Sequence, residues 1–104
     1  MSKYNIVITE PAEKDLFEIG NYIATELLEP DIALKVVNTI GESILTLEDM
    51  PSRNAIVADK RLAHLGIRKL LIDNFIVFYV ISEESKTVTV VRILYGKRNW
   101  INLL

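Results

Sequence analysis

The chain has 104 residues, half of them apolar, and its 14 acidic and 12 basic residues leave a net charge of −2. That length suits one domain, residues 1–104, with a single core. Without cysteine, and with His64 as the only histidine, the chain excludes disulfides and thiolate metal sites, so we expect no structural metal and no cofactor. No signal peptide is apparent, and the longest apolar run, Phe75 to Ile81, is too short to cross a bilayer. We therefore expect a cytosolic protein without membrane contacts.

The charge is distributed unevenly along the chain. Residues 1–50 carry ten acidic residues and three lysines, a net charge of −7, whereas residues 51–104 carry nine basic and four acidic residues, a net charge of +5. If the cations of the second half converge, they suit an anionic partner, although ordinary solvated side chains give the same count. The high apolar content also predicts that some apolar surface faces a partner.

The first half predicts a strand followed by a helical hairpin. Residues 4–8 are short and β-branched, which is typical of a strand. Thr9 and Pro11 mark the start of a helix, in which apolar residues recur every three or four positions as far as Leu27. Pro30 ends that helix and begins a second one, which keeps the same spacing to about residue 48. A tight turn joins the two helices.

The second half predicts three strands after an irregular segment. Residues 51–65 lack a clean period, apart from a short strand suggested at Ile56 and Val57, and a loop of this length is often functional. The strands follow at residues 67–72, 75–81 and 87–95. Their short connections make them antiparallel neighbours. Because the middle strand is apolar on both faces, the hairpin should cover one, and the C-terminal segment, a second copy or a different protein should cover the other.

The last strand carries an arginine among apolar residues. By strict alternation, Arg92 shares a face with Val88, Val90 and Leu94. An unpaired charge there is costly, so pairing with an acidic helix residue is the favoured interpretation and contact with a target is the alternative.

A basic tail follows that strand. Lys97 and Arg98 come directly after Gly96, where the chain can turn freely, and we expect them to be exposed. Trp100 and Leu103 are more typical of core contacts than of stacking platforms for bases.

Few side chains could carry chemistry. Metal-free RNA cleavage needs a base, cations that hold the charged phosphorane, and an acid for the leaving oxygen. The side chains available for these roles are Tyr95, Lys97, Arg98, Arg68 and His64. No nucleophile–base pair, paired-carboxylate site or glycine-rich phosphate loop is visible, so the sequence gives little support to hydrolase or nucleotide-binding activity.

The order of these elements resembles the RelE/ParE superfamily of bacterial toxins over nearly the whole chain. The resemblance lies in the strand and helical hairpin, in residues 66–68 leading into 73–79, and in the tail at residues 92–100. It implies an α+β fold, with an antiparallel sheet of about four strands and the hairpin packed on one face. It also implies a type II toxin–antitoxin module, in which an antitoxin from a neighbouring gene wraps the toxin.

Two activities divide that superfamily, and the resemblance favours the ParE-like one. RelE-like members cleave mRNA on the ribosome, and on that alternative the catalytic residues would be Arg68, Tyr95, Lys97 and Arg98. Phe75, however, stands where RelE-like members place an arginine, and the tyrosine beyond the tail arginine has no counterpart. ParE-like members inhibit DNA gyrase without a catalytic set, and the long hairpin is more ParE-like.

The leading hypothesis is therefore a ParE-like toxin that binds gyrase, with the ribosome as the alternative target. Its expected contact residues are Lys60, Arg61, His64, Arg92, Lys97, Arg98 and Trp100. A non-toxic binding relative is a third hypothesis, and either a homodimer or a toxin–antitoxin hetero-oligomer is compatible with the sequence.

Overall fold

The computed structural model describes residues 3–97 and 103–104. The elements are β1 (Asn5–Ile8), α1 (Glu10–Asn21), α2 (Pro30–Leu45), α3 (Lys60–His64), β2 (Arg68–Ile72), β3 (Phe75–Ser82) and β4 (Thr87–Tyr95). A π-helical turn, Tyr22–Glu26, extends α1, and 3-10 turns occupy Thr46–Glu48 and Pro51–Arg53. The predicted α+β fold, with its strands and hairpin, is confirmed. Within the described part of the chain, no helix is long and apolar enough to cross a bilayer.

Side chains that accept backbone hydrogen bonds begin two of the helices. The Thr9 hydroxyl accepts from the Ala12 N–H at the start of α1, and Pro11 occupies the first turn, where no donor is needed. The Asp59 carboxylate accepts from the Leu62 N–H at 3.0 Å and so begins α3. Helix α2 begins directly at Pro30.

The sheet is mixed, with strand order β1-β4-β3-β2. Strands β2, β3 and β4 are antiparallel neighbours, as predicted, whereas β1 lies parallel to β4. The prediction of a wholly antiparallel sheet is wrong at β1. The short turns between β2, β3 and β4 fix their directions, but no turn links β1 to its partner, so the sequence did not determine the direction of β1.

Apolar clusters cover both faces of the sheet. On one face, the hairpin packs Ala12, Ile40 and Ile44 against the sheet. On the other, Val57, Leu62 and Ile67 pack with Leu103 and Leu104. The C-terminal segment thus contributes to the second cover, as one of the three alternatives predicted, but residues 57–67 supply more of it. Helix α3 is only five residues long, too short for its periodicity to reveal it.

The suggested strand at Ile56 is reduced to a single bridge with Arg68. Backbone hydrogen bonds from Val57 to Ile67 and from Lys69 to Ala55 hold the segment along the outer edge of β2. That segment therefore shields part of an edge strand as well as one face of the sheet.

A β-bulge changes which residues of β4 share a face. Phe78 pairs with Arg92, but the next residue, Tyr79, pairs with Val90, so β4 contains one extra residue. Val88 and Val90 consequently pack with Ile93 in the hairpin cluster, whereas Leu94 packs in the opposite cluster. The strict alternation that placed Leu94 with Val88 and Val90 is therefore wrong, since the bulge shifts the period by one residue.

Arg92 is paired with Asp15 of α1, which confirms the favoured interpretation. Its Nε and Nη2 donate to the two carboxylate oxygens at 2.7 and 2.8 Å, and Asp15 raises the pKa of the guanidinium. The same carboxylate accepts from the Ile93 N–H at 3.0 Å. Strand β1 pairs with β4 only as far as Val90. The backbone N–H of Ile93 therefore has no partner in β1, and the Asp15 carboxylate accepts its hydrogen bond instead.

Arg92 also binds the chain terminus. Its Nη1 donates to the Leu103 carbonyl at 3.0 Å. Leu103 and Leu104 pack against the second apolar cluster, so the core role predicted for Leu103 is confirmed. The pair of Asp15 and Arg92 therefore joins α1, β4 and the C-terminal residues.

Replacing Asp15 by Asn should destabilise the protein by about 3 kcal/mol, because removing one partner leaves the other charge partly buried and unpaired. Asp15 is only 7% exposed. Glu18→Gln is the matched control, an exposed carboxylate on the same helix, and should change the free energy of unfolding by less than about 0.5 kcal/mol. Urea denaturation measures both values. Equal effects of the two substitutions would contradict the assigned role of Asp15.

Candidate functional site

The predicted contact residues do not form one surface. Lys60, Arg61 and His64 are exposed on α3. The buried residue of α3, Leu62, packs in the cluster opposite the hairpin, so these cations lie on that side of the sheet. Arg92 is held by Asp15 and the Leu103 carbonyl, which gives it a structural role. Lys97 is exposed after β4, and Arg98 and Trp100 lie outside the described residues.

Arg68 forms hydrogen bonds with the backbone of the segment that follows α2, at residues 52–54. Its Nη1 donates to the carbonyls of Ser52 and Asn54, at 3.2 and 2.6 Å. Beside it, the buried Tyr79 hydroxyl donates to the Pro51 carbonyl and accepts from the Asn54 amide. Arg68 is thus engaged in holding backbone carbonyls, whereas a RelE-like mechanism would need it to contact a phosphate.

Burial controls the ionisation of Tyr79. Desolvation raises the pKa of its phenol above the usual value, and the hydrogen bond from Asn54 and the positive charges of Arg68 and Arg53 offset part of that rise. The hydroxyl therefore stays protonated and keeps donating to Pro51 at neutral pH. Tyr79 is part of the support for the loop and not a candidate base.

Arg68 and Tyr95 lie at opposite corners of the three-stranded antiparallel region. Tyr95 pairs with Phe75, which pairs with Ile72, and Arg68 is four residues before Ile72. Arg68 and Tyr95 are separated by two interstrand spacings across the sheet and by four residues along the strand direction. These separations place their Cα atoms roughly 16 Å apart. Together with the engaged Arg68 guanidinium, this separation means that the predicted RelE-like set does not converge in the described residues.

A groove opens where the hairpin meets the ends of β3 and β4. It encloses about 740 Å³, and its apolar and aromatic lining includes Tyr22, Ile23, Leu27, Phe75 and Tyr95. The Phe75 and Tyr95 rings pack edge to face, with centroids 5.9 Å apart. Tyr95 is 38% exposed. We call this the Tyr95 groove.

Gly96 fixes how the chain leaves this groove. Its N–H donates to the Asn74 carbonyl at 2.8 Å. A Cβ atom built on Gly96 would lie 3.3 Å from that same oxygen, which is closer than side chains normally approach. The absence of a side chain therefore keeps the end of β4 against the β2–β3 turn, and the next residue, Lys97, is exposed.

This arrangement is suited to binding. Aromatic rings line an open groove, with the Glu18 carboxylate at one side and Lys97 just beyond β4. No three His, Asp or Glu side chains cluster as a metal site in the described ranges 3–97 and 103–104. Tyr95 and Lys97 are the predicted site residues that the structure brings to this end of the sheet.

Sequence reasoning missed the exposed apolar residues of the hairpin. It placed the partner surface on the middle strand, but both faces of β3 are covered within the chain. Large exposed apolar side chains occur instead along residues 17–45, at Phe17, Tyr22, Leu27, Leu28, Ile32, Leu34 and Leu45. Phe17, Tyr22 and Leu34 were detectable, because they are apolar residues that fall outside the periodic core stripes of the two helices.

The raised pKa of Tyr79 predicts a specific loss of stability in alkali. An unfolded tyrosine ionises near pH 10, while the folded phenol holds its proton to higher pH, so its contribution is complete below pH 10 and falls as pH rises through the folded pKa. Tyr79→Phe removes this contribution, and its free energy of unfolding should therefore decline less steeply above pH 10. Urea titrations at pH 8 to 11 measure the two slopes. If the free energies of unfolding of the wild type and of Tyr79→Phe decline with the same slope, the pKa of Tyr79 is the same in the folded and the unfolded state.

A family model of the "ParE toxin of type II toxin-antitoxin system, parDE" matches residues 6–100. Among solved structures, a chain of the chromosomal ParDE TA system from P. aeruginosa is similar, with 23% identity, a TM-score of 0.75, and coverage of 91% of this chain and 98% of that one. A search of curated proteins finds no match.

Two RelBE complexes are also similar in fold. A chain of the RelBE2 complex from Mycobacterium tuberculosis has 20% identity and a TM-score of 0.64, with 91% of this chain and 93% of that chain covered. A chain of the intact E. coli RelBE complex has 14% identity and a TM-score of 0.62, with 91% and 99% covered. At these identities the likeness concerns the fold alone, whereas the family model spans most of the sequence. The chain belongs to the ParE toxin family of type II toxin–antitoxin systems.

Proposed function

We propose that this toxin arrests growth by binding and inhibiting DNA gyrase in the cytoplasm, and that an antitoxin encoded by a neighbouring gene neutralises it. The observation that carries the proposal is the ParE family match over residues 6–100. Of the RelE-like residues that the structure describes, Arg68 is engaged with backbone carbonyls and lies two strands away from Tyr95. Inhibition by binding needs an accessible surface and no catalytic set.

The end of β4 is the proposed contact with gyrase. Tyr95 offers a partly exposed ring and Lys97 an exposed cation, and the sequence adds Arg98 immediately after them. Aromatic and arginine side chains are enriched among residues that dominate protein interfaces. Lys60, Arg61 and His64 lie on the opposite side of the sheet from the Tyr95 groove, so their part in the same contact is secondary.

A ribosome-dependent endoribonuclease is the second candidate. The observation in its favour is the placement of a tyrosine and two cations within four residues, Tyr95 to Arg98, at the end of one strand. A phenol and adjacent cations could assist proton transfer and hold the phosphorane. Arg68, the fourth residue of the predicted set, is engaged with Ser52 and Asn54.

Purified toxin should inhibit DNA supercoiling by gyrase and leave ribosome-bound mRNA intact. Supercoiling is followed by gel electrophoresis of relaxed plasmid, and cleavage is mapped by primer extension on translated mRNA. The toxin–antitoxin complex is the control and should be inactive in both assays. Cleavage at A-site codons together with normal supercoiling would replace this proposal by the endoribonuclease.

Substituting Lys97 and Arg98 together by Ala should weaken gyrase inhibition by about tenfold or more, since the few residues that dominate an interface, among which arginine is enriched, each cost more than about 1 kcal/mol when truncated. The matched control is Lys3→Ala, because Lys3 is an exposed cation just before β1, and β1 pairs with the start of β4, the end opposite Tyr95. The half-inhibitory concentration in the supercoiling assay is the readout, and the melting temperature verifies folding. Unchanged inhibition by the folded double variant would remove the tail from the mechanism.

A further inference from the structure

Strand β4 continues past the end of its neighbour β1, and this continuation carries the proposed gyrase contact. Strand β1 pairs with β4 only from Thr87 to Val90, whereas β3 pairs with β4 as far as Tyr95. Within the described part of the chain, residues 91–95 therefore have a strand on one side and none on the other. A strand end with a single neighbour opens more easily than one with two, so another contact is needed to fix the direction in which it points.

The carboxylate of Asp15 supplies that contact. Its Oδ2 accepts the hydrogen bond of the Ile93 N–H at 3.0 Å, and Ile93 is only two residues before Tyr95. Asp15 belongs to α1 and is 7% exposed, so water competes little for its oxygens. Helix α1 thus holds the backbone of β4 close to its exposed end.

The same carboxylate also sets the direction of the Arg92 guanidinium. Nε and Nη2 of Arg92 are occupied by the two oxygens of Asp15. Because a guanidinium is planar and rigid, this pairing also fixes where Nη1 points. Nη1 donates to the Leu103 carbonyl at 3.0 Å, and the Leu103 side chain packs in the cluster opposite the hairpin. Asp15 therefore acts on Leu103 through Arg92.

The exposed cation Lys97 lies between two anchors along the chain. Just before it, the Gly96 N–H donates to the Asn74 carbonyl at 2.8 Å. Six residues after it, the Leu103 carbonyl is held by Arg92. A chain that is anchored on both sides of a binding residue has less conformational freedom to lose when a partner binds, which favours affinity.

We propose that Asp15 and Arg92 are positioning residues for gyrase binding, which fix the end of β4 and so the side chains that contact gyrase. The inference rests on the proposed function, in which Tyr95 and Lys97 belong to that contact. Asp15 is buried and Arg92 is partly buried, so both act through the residues they hold.

Two variants release the Leu103 anchor by different routes. Arg92→Lys keeps a positive charge beside Asp15, but the single nitrogen of lysine cannot reproduce the planar arrangement that binds Asp15 and Leu103 at once. Leu103→Ala leaves the charge pair untouched and removes the side chain that packs in the cluster opposite the hairpin. Leu103 is only partly buried, so this second variant should fold even if the first does not.

A control of reduced stability separates positioning from a general weakening of the fold. Ile44→Val removes one methylene from a residue of the hairpin cluster that is 1% exposed. Ile44 lies eight residues beyond Val36, where α2 lines the Tyr95 groove, and so roughly 12 Å farther along the helix. Thermal melts measure the stability of every variant, and inhibition is assayed below the lowest melting temperature.

We expect Arg92→Lys to raise the half-inhibitory concentration in the supercoiling assay by about fivefold or more, the cost of ordering one or two side chains on binding. Leu103→Ala should raise it by more than about twofold, and Ile44→Val by less. A double-mutant cycle tests the route. In a chain that already carries Lys97→Ala and Arg98→Ala, Arg92→Lys should have almost no further effect, because the side chains that it positions are gone.

Inhibition at the wild-type level by folded Arg92→Lys or Leu103→Ala would overturn the inference and leave the proposed function intact. The inference also fails if Arg92→Lys weakens inhibition equally with and without the Lys97 and Arg98 side chains, or if Ile44→Val weakens it as much. A wild-type chain that leaves supercoiling unchanged would instead refute the proposed function, and the inference with it.

Discussion

The pairing of Asp15 with Arg92 is the interaction on which the arrangement of this molecule depends. One carboxylate receives two guanidinium hydrogen bonds and the Ile93 N–H, and the same arginine donates to the Leu103 carbonyl. It lies where β1 ends and β4 continues, which is also where a bulge shifts the faces of β4. The hairpin, the sheet and the chain terminus thus meet at one charge pair, in which Asp15 is buried and Arg92 is partly buried, so the loss of either partner leaves a poorly solvated charge.

The secondary-structure elements were predictable where a periodic pattern of apolar residues extended over many positions. The hairpin and three antiparallel strands followed from helical spacing, prolines and short turns, and an acidic helix partner for Arg92 followed from the cost of an unpaired charge. The bulge between Val90 and Arg92 was not predictable, because an apolar run such as residues 88–91 looks the same in either register. The parallel direction of β1 could not be predicted, because no short turn connects β1 to its neighbour β4.

The candidate site was less predictable, because its residues come together only through tertiary contacts. Sequence reasoning counted nine cations in the second half as one potential surface. The structure divides them: Arg68 and Arg92 hold backbone and carboxylate groups within the fold, whereas the cations of α3 lie opposite the hairpin. The Tyr95 groove joins Tyr22 of the hairpin to Phe75 of β3, which are 53 positions apart in the sequence, so no local motif could reveal it.

The charge asymmetry of the sequence corresponds to two kinds of surface. The acidic half forms a hairpin with exposed apolar side chains such as Phe17 and Leu34. The basic half supplies the second cover of the sheet and the exposed end of β4, with Tyr95 and Lys97. On the proposed function, the exposed end of β4 is the surface that binds gyrase, and the cations of α3 lie on the other side of the sheet.

Site-specific photocrosslinking tests the assignment of the gyrase-binding surface most directly. Benzoylphenylalanine is placed at position 97 in one sample and at the exposed position 64, on the other side of the sheet, in another, and each is irradiated with gyrase. Position 97 should crosslink to gyrase and position 64 should not. Crosslinking of position 64 but not of position 97 would contradict the assignment of this surface to the end of β4.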